Sequence, residues 1–376
     1  MTIKCAIGLM SGTSLDGIDA SLLFTDGQEI QPKPIDPPHF VHMPYDDAFK
    51  NKLRKVIAKV ATRKKRGKVS KEILEIEEEL TKRHAEAVNY LLAVAKIKAE
   101  QVDVIGFHGH TILHRPEAQW TWQLGDGALL AKITGIDVVN DFRSEDMRCG
   151  GEGAPLLPIY HQAMLKGRVM PSAHTLAILN IGGVANITYV VNAGIGSWMQ
   201  AFDTGPGNAL IDDWVFEKTG KAYDENGELA LKGTVDGTMI NEWLQDEYFE
   251  KTGPKSLDRN YFKCEGLDKS NLEDGAANLT AFTVASIQLA VEILPTPPVH
   301  WYVTGGGRNN LTMMGLLAAV LKVPVDPIER LGLNGDAIEA EGFAFLAIRH
   351  INKMPTSLPE ITGASGQVIG GEFHSK

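Results

Sequence analysis

Twice in this chain a short apolar run enters a tight turn of small residues and comes back as a second apolar run. The first instance is Ile3 to Met10, then Ser11-Gly12-Thr13-Ser14-Leu15-Asp16-Gly17, then Ile18 to Phe24. The second is Thr175 to Asn180, then Ile181-Gly182-Gly183-Val184, then Ala185 to Val191. Strand, glycine turn, strand reads as a hairpin. Two hairpins so far apart call for two sheets, and 376 residues are too many for one ordinary core. Gly150-Gly151-Glu152-Gly153-Ala154-Pro155 has a hinge-like composition, so the expected division is a lobe over 1–145 and a second over 146–349. The last segment, about 350–376, is expected to pack back on the first lobe.

The first turn is dense in hydroxyls and glycines. It suits phosphates, with Asp16 and Asp19 near a metal. No Gly-Lys-Ser/Thr follows, so it is not a Walker loop. The second turn offers Gly182 and Gly183 to the same ligand from the other lobe. A third glycine run, Gly305-Gly306-Gly307, lies between the strand His300 to Thr304 and a helix from about Leu311. Glycines there let a flat or anionic group approach the backbone. A dinucleotide fingerprint would need a further glycine where Asn310 stands.

Ala201-Phe202-Asp203-Thr204-Gly205-Pro206-Gly207-Asn208 carries the candidate chemistry. The strand Trp198 to Phe202 ends on the Asp203 carboxylate. The glycines permit close approach, Pro206 stiffens the turn, and Asn208 is placed to cap the next helix, whose amide end attracts anions. A carboxylate there is a candidate general base. The strand Val102 to Phe107 runs into His108-Gly109-His110-Thr111, a pocket edge, and Arg143 and Arg148 are the candidates for gripping a carboxylate. Pro254 to Arg259 is a polar loop within reach of a ligand.

The net charge of -10 argues against general binding to nucleic acid or anionic membranes. Cys5, Cys149 and Cys264 suggest neither a disulfide framework nor zinc, and fit a reducing cytoplasm. Met1 to Met10 is too short and broken for a signal-peptide core, and no apolar run reaches the roughly 20 residues of a membrane span. The basic run Arg63 to Lys68 reads as a solvated loop, and Ser70 to about Lys98 as a scaffold helix. Ala276 to Leu294 is expected as a buried helix, Gly335 to Ile351 as the last helix, and the tail after Pro355 as partly extended.

Five stretches resemble the anhydro-N-acetylmuramic acid kinases, within the sugar kinase, Hsp70 and actin superfamily. They are Gly8 to Asp19, Asn180 to Asn186, Phe202 to Asn208, Gly305 to Gly307, and Asn334-Gly335-Asp336-Ala337-Ile338-Glu339-Ala340. The resemblance implies an α/β fold of two actin-like (ribonuclease H-like) lobes, mixed sheets flanked by helices, and an active site in the interlobe cleft with ATP and Mg2+. It implies that Gly12, Thr13, Ser14, Leu15, Asp16, Gly17, Ile18 and Asp19 contact ATP phosphates, with Gly182 and Gly183, and that Gly305, Gly306 and Gly307 lie near the adenosine. Asp203 becomes the catalytic base, and Asp16, Asp203 and Glu339 the metal side. The sugar side falls to His108, Thr111, Arg143, Gly153 and Asn186. The sequence departs from the family pattern at His110, where Gln is expected, and at Arg308-Asn309, where Ala-His is expected. The implied enzyme is a cytoplasmic homodimer that opens a 1,6-anhydro ring and phosphorylates O6. The competing expectations are a kinase for a neutral anhydro sugar such as levoglucosan, and an actin- or Hsp70-like ATPase.

Overall fold

The computed structural model describes residues 2–12, 14–32, 37–63, 67–166, 168, 174–192, 197–259 and 261–376. Thr13, expected at the phosphates, and Lys64, Lys65 and Arg66 of the basic run lie outside the described residues.

The chain divides into two compact units, Met1–Arg168 with Ala337–Lys376, and Val169–Asp336. In the first, β1 (Lys4–Ser11), β2 (Gly17–Thr25), β3 (Phe40–Pro44), β4 (Val104–Arg115), β5 (Trp120–Leu124) and β6 (Val138–Asn140) join the C-terminal strand Glu372–His374 in one mixed sheet. The order is C-terminal strand, β6, β4, β1, β2, β3, with β5 paired to β4. The expected hairpin forms from Lys4↔Thr25 to Met10↔Asp19, and β1 and β4 run parallel.

Alternation along β1 sends successive side chains to opposite faces. Ile7 and Leu9 join the core made with the helices Asp47–Val60 and Lys71–Ala95, through Phe49, Leu53, Ile73 and Leu80. Gly8, between them, faces the helix Ile338–Ile351: a Cβ at Gly8 would come within 1.6 Å of the Ala340 carbonyl oxygen. At Gly106 on β4 it would come within 2.0 Å of the Phe343 carbonyl oxygen. Two glycines thus let the helix backbone lie directly on the sheet.

In the second unit β7 (His174–Ile181), β8 (Val184–Asn192), β9 (Ser197–Pro206), β10 (His300–Thr304) and β11 (Val325–Pro327) form a sheet ordered β11, β10, β7, β8, β9. β7, β8 and β9 are antiparallel neighbours, and β10 and β11 run parallel to β7. This repeats the β6, β4, β1, β2, β3 path of the first sheet. The helix Leu272–Ile293 begins earlier than expected, capped by Asn271, whose side chain accepts the Asp274 amide. It has the length and apolarity of a membrane span, but Phe282, Ile287 and Ala290 are buried in the core of this unit.

The division differs from the expected one at 145/146 and 349/350. The Gly150–Pro155 loop belongs to the first unit because the buried Asp146 accepts the Gly153 amide (2.8 Å) and Glu152 donates to the Thr362 carbonyl (2.8 Å). The helix Ile338–Ile351 belongs there because it covers β1 and β4. The tail is less extended than expected. It forms a short helix, Pro359–Thr362, and its last strand pairs with β6.

Candidate active site

Asp203 lies inside β9, which continues through Pro206, rather than at the strand's end. The ladder with β8 slips between Ala185 and Asn186, so that Asn186 pairs with Asp203 and Ala185 with Gly205. Thr204 is the extra residue of a bulge. Paired residues of an antiparallel ladder share a face, which brings two expected site residues, Asn186 and Asp203, side by side.

Asp203 is 6% exposed. Its amide donates to the Lys255 carbonyl (2.9 Å), and its Oδ2 accepts the Leu257 amide (2.8 Å). The Tyr248 hydroxyl donates to the Asp203 carbonyl. Lys255 is buried over the Tyr248 ring (4.5 Å), and its Nζ donates to the Tyr248 carbonyl (3.2 Å). Burial, and then Lys251, push the Lys255 ammonium down to about 8, while the Asp203 charge works in the opposite direction. The polar loop Pro254–Arg259 does reach the candidate base. Tyr248, Lys255 and Leu257 carried no individual signal in the sequence, because only folding brings them against β9.

The three glycine stretches of this unit converge. Gly182 and Gly183 form the β7–β8 turn. Gly207 and Ala209 donate to the Gly183 carbonyl (3.0 and 3.2 Å), and Asn208 donates to that of Gly182 (2.8 Å). A Cβ at Gly207 would come within 2.3 Å of the Gly182 carbonyl oxygen. Gly305, at φ 76°, fits against Ile181, whose carbonyl oxygen would be 2.6 Å from an added Cβ, and Gly307 packs on the Ile181 side chain. The expected helix cap is absent: the Asn208 side-chain amide donates to the Ile181 carbonyl (3.0 Å). The amides of Gly207, Asn208 and Ala209 are therefore taken by the glycine turn instead of an incoming anion.

In the first unit the β1–β2 turn is tight, with Leu15 donating to the Gly12 carbonyl (3.1 Å). Leu15 takes φ 60°, an uncommon conformation for a branched side chain, and is buried. Ser14 and Asp16 are exposed at the tip, and the Ser14 hydroxyl donates to Asp16 Oδ1 (2.6 Å). Gly17 and Ile18 are already strand residues. Ile18 is 1% exposed, so only its main chain is offered to a ligand. Asp19 Oδ1 lies 2.8 Å from His42 Nδ1.

Three of the expected sugar residues meet in this same unit. Arg143 donates through Nε and Nη2 to His108 Nε2 (3.2 and 3.1 Å) and through Nη1 to the Gly153 carbonyl (2.7 Å). His108 Nδ1 then donates to the Gly109 carbonyl (3.0 Å), which defines a neutral ring. Burial and then Arg143 hold its pKa well below the ordinary value. His114, which the sequence reading passed over, is pushed down to about 3 by burial and then by Arg143, and its Cε1 would be 3.5 Å from a Cβ at Gly153. Thr111 accepts from Gln123 Nε2 (3.1 Å). Two expectations fail here. Arg148 is exposed and paired with Glu145. His110 is sealed under the β1–β2 turn, its Nδ1 2.9 Å from Ser11 Oγ, because it lies within β4 opposite Ser11.

Among the described residues no three His, Cys, Asp or Glu side chains gather as a ready-made cation site. Mg2+ usually takes one or two carboxylates and completes its shell with phosphates and water. The exposed Asp16 carboxylate fits that demand.

Two α/β units that repeat one strand order, with glycine turns at the strand ends, define the actin-like fold class. The family model for anhydro-N-acetylmuramic acid kinase matches residues 4–376. A protein of Rhizorhabdus wittichii with that name is 48% identical over 374 residues, covering 100% of both chains. Those of Zymomonas mobilis and Rhodospirillum rubrum are 46% and 45% identical, covering 98% of this chain and 99% and 93% of their own. The chain belongs to the anhydro-N-acetylmuramic acid kinase family.

Proposed function

We propose that the protein uses ATP to open the anhydro ring of 1,6-anhydro-N-acetylmuramic acid and to phosphorylate O6, giving N-acetylmuramic acid 6-phosphate in cell-wall recycling. The observation that carries this reading is Asp203. It is a buried carboxylate held by the Leu257 amide, paired with Asn186, on the strand that runs into the glycine turns.

A 1,6-anhydro sugar has no O6 hydroxyl to deprotonate. Asp203 instead takes a proton from a water that attacks C1. The C1–O6 bond breaks, O6 forms a bond to the γ-phosphorus, and the bond to ADP breaks. Gly12, Ser14 and Asp16 receive the phosphates, with Gly182 and Gly183, and Gly305 to Gly307 receive the adenosine. Asp16, with help from Glu339, would hold Mg2+, which would supply positive charge against the phosphates. Arg143, oriented by His108 and the Gly153 carbonyl, grips the lactyl carboxylate. The reading takes the enzyme as a cytoplasmic homodimer without nucleic-acid or membrane partners, which sizing of the purified protein checks.

The test is purified protein, ATP, Mg2+ and a panel of anhydro sugars, followed by mass spectrometry. The expected product carries both water and phosphate, and 18O from labelled water appears at C1. Asp203→Asn should cut turnover by at least roughly 10²-fold while keeping ATP bound. Near-normal turnover in that variant removes Asp203 from the role. Product from neutral anhydro sugars alone, or sugar-independent ATP hydrolysis, overturns the substrate.

A further inference from the structure

We propose that Arg308 is a positioning residue for nucleotide binding, which holds the Gly305–Gly307 turn in the shape the nucleotide meets. The inference rests on the reading of that turn as the adenosine side of the site.

The Arg308 side chain is 7% exposed. All three of its nitrogens have protein acceptors: Nε reaches Glu329 Oε1 (2.8 Å), Nη1 the Gly305 carbonyl (3.0 Å) and Nη2 Asp336 Oδ1 (2.6 Å). The same Gly305 carbonyl accepts the Arg308 amide (3.3 Å). One planar group therefore fixes the first residue of the glycine turn, the one-turn helix Ile328–Leu331, and Asp336, where the chain leaves this unit. Three acceptors in three directions suit a guanidinium fork and exceed what one ammonium can align.

The surroundings are built around this group. A Cβ at Gly335 would lie 2.3 Å from Arg308 Nε and 2.5 Å from Glu329 Oε1, so a larger residue there would displace the ion pair. The Gly335 amide also donates to Glu329 Oε1 (3.2 Å). The two carboxylates remain hydrated, at 44% and 61% exposure, so the buried cation is neutralised without sealing two anions beside it. Buried at 7% exposure and tied to three acceptors, Arg308 acts on a nucleotide through the turn. Gly306, two residues away, is exposed, and a Cβ there would meet only Asn208 Nδ2, at 3.6 Å. The outer face of the turn is open where its inner face is clamped.

The experiment measures ATP affinity by calorimetry, and KM for ATP and for the anhydro sugar, in the wild-type enzyme and four variants. Arg308→Met should weaken ATP binding about tenfold or more, the loss expected for charge-assisted bonds, with the sugar KM unchanged. Arg308→Lys should restore part of it. Asp336→Ala removes one exposed tether and should weaken ATP binding by less, which keeps the test decisive if Arg308→Met does not fold. Gly306→Leu fills the open face and reports on the turn itself. Loss of ATP in Gly306→Leu with wild-type affinity in Arg308→Met, or in Asp336→Ala if that is the folded variant, overturns the role of Arg308 alone. Normal ATP binding in Gly306→Leu overturns the reading of the turn, and the inference with it. An equal rise in both KM values also overturns it, because that is general damage.

Discussion

Arg143 spends two of its nitrogens on one acceptor, the Nε2 of His108, at 3.2 and 3.1 Å. A half-buried cation is thus oriented by a ring that burial keeps neutral. His108→Ala should leave Arg143 charged but loosely aimed. The expected result is a rise of about tenfold in KM for the lactyl sugar, the scale of one charge-assisted hydrogen bond, with the ATP KM unchanged. Steady-state kinetics with each substrate varied in turn decides it, and an unchanged sugar KM would remove His108 from this part.

Asp146 joins the Gly153 loop to the C-terminal segment. Its Oδ1 accepts the Thr362 hydroxyl (2.6 Å) and the Ser357 hydroxyl, and its Oδ2 the Gly153 amide (2.8 Å). The residue is fully buried. Asp146→Ala strands several donors in a dry site and should destabilise the protein by about 3 kcal/mol or more. Urea titration measures this, and a loss below the error of the extrapolation would count against the buttress.

Acid should weaken the fold through its buried histidines. Burial pushes His84 and His110 down to about 4 and His114 to about 3, from the ordinary 6.5. Their folded values lie below the unfolded one, so their contribution is fully present above pH 6.5 and is lost as pH falls toward 4 and 3. Each protonation withheld in the folded state adds up to about 1.4 kcal/mol per pH unit to the slope. Urea midpoints at a series of pH values should fall as the pH drops from 6.5 toward 4. A flat profile would contradict the burial of these rings.

Gly8→Ala tests the contact between β1 and the helix Ile338–Ile351. The added methyl would fall 1.6 Å from the Ala340 carbonyl oxygen, a backbone atom that cannot swing aside. The expected cost exceeds about 3 kcal/mol, at the upper end for an overpacked core. Gly315→Ala, whose new Cβ meets nothing within 4 Å, is the matched control and should fold normally. Thermal melts of the two variants separate a steric cause from a loss of glycine as such.

The amino-acid sequence by itself determined the local chemistry. Alternation of apolar residues and the glycine turns made both hairpins legible, since a strand and its tight turn are set by neighbours in the chain. The Asp203 stretch, the glycine run at Gly305, and His108 and Arg143 as separate candidates were legible as residue types, although Asp203 and His108 lie inside their strands and not at the ends. Tertiary structure alone decided which segments those residues would use. The Leu257 amide on Asp203 comes from more than fifty positions away, and Thr362 meets Asp146 across most of the chain. The helix does start at Asn208, but its side-chain cap was misread for the same reason: the Asn208 side chain is claimed by the Ile181 carbonyl, a partner that no local pattern reveals. The hinge-like loop at Gly150 proved to be anchored because glycines there permit close packing as readily as motion, and a buried carboxylate selects the packed state.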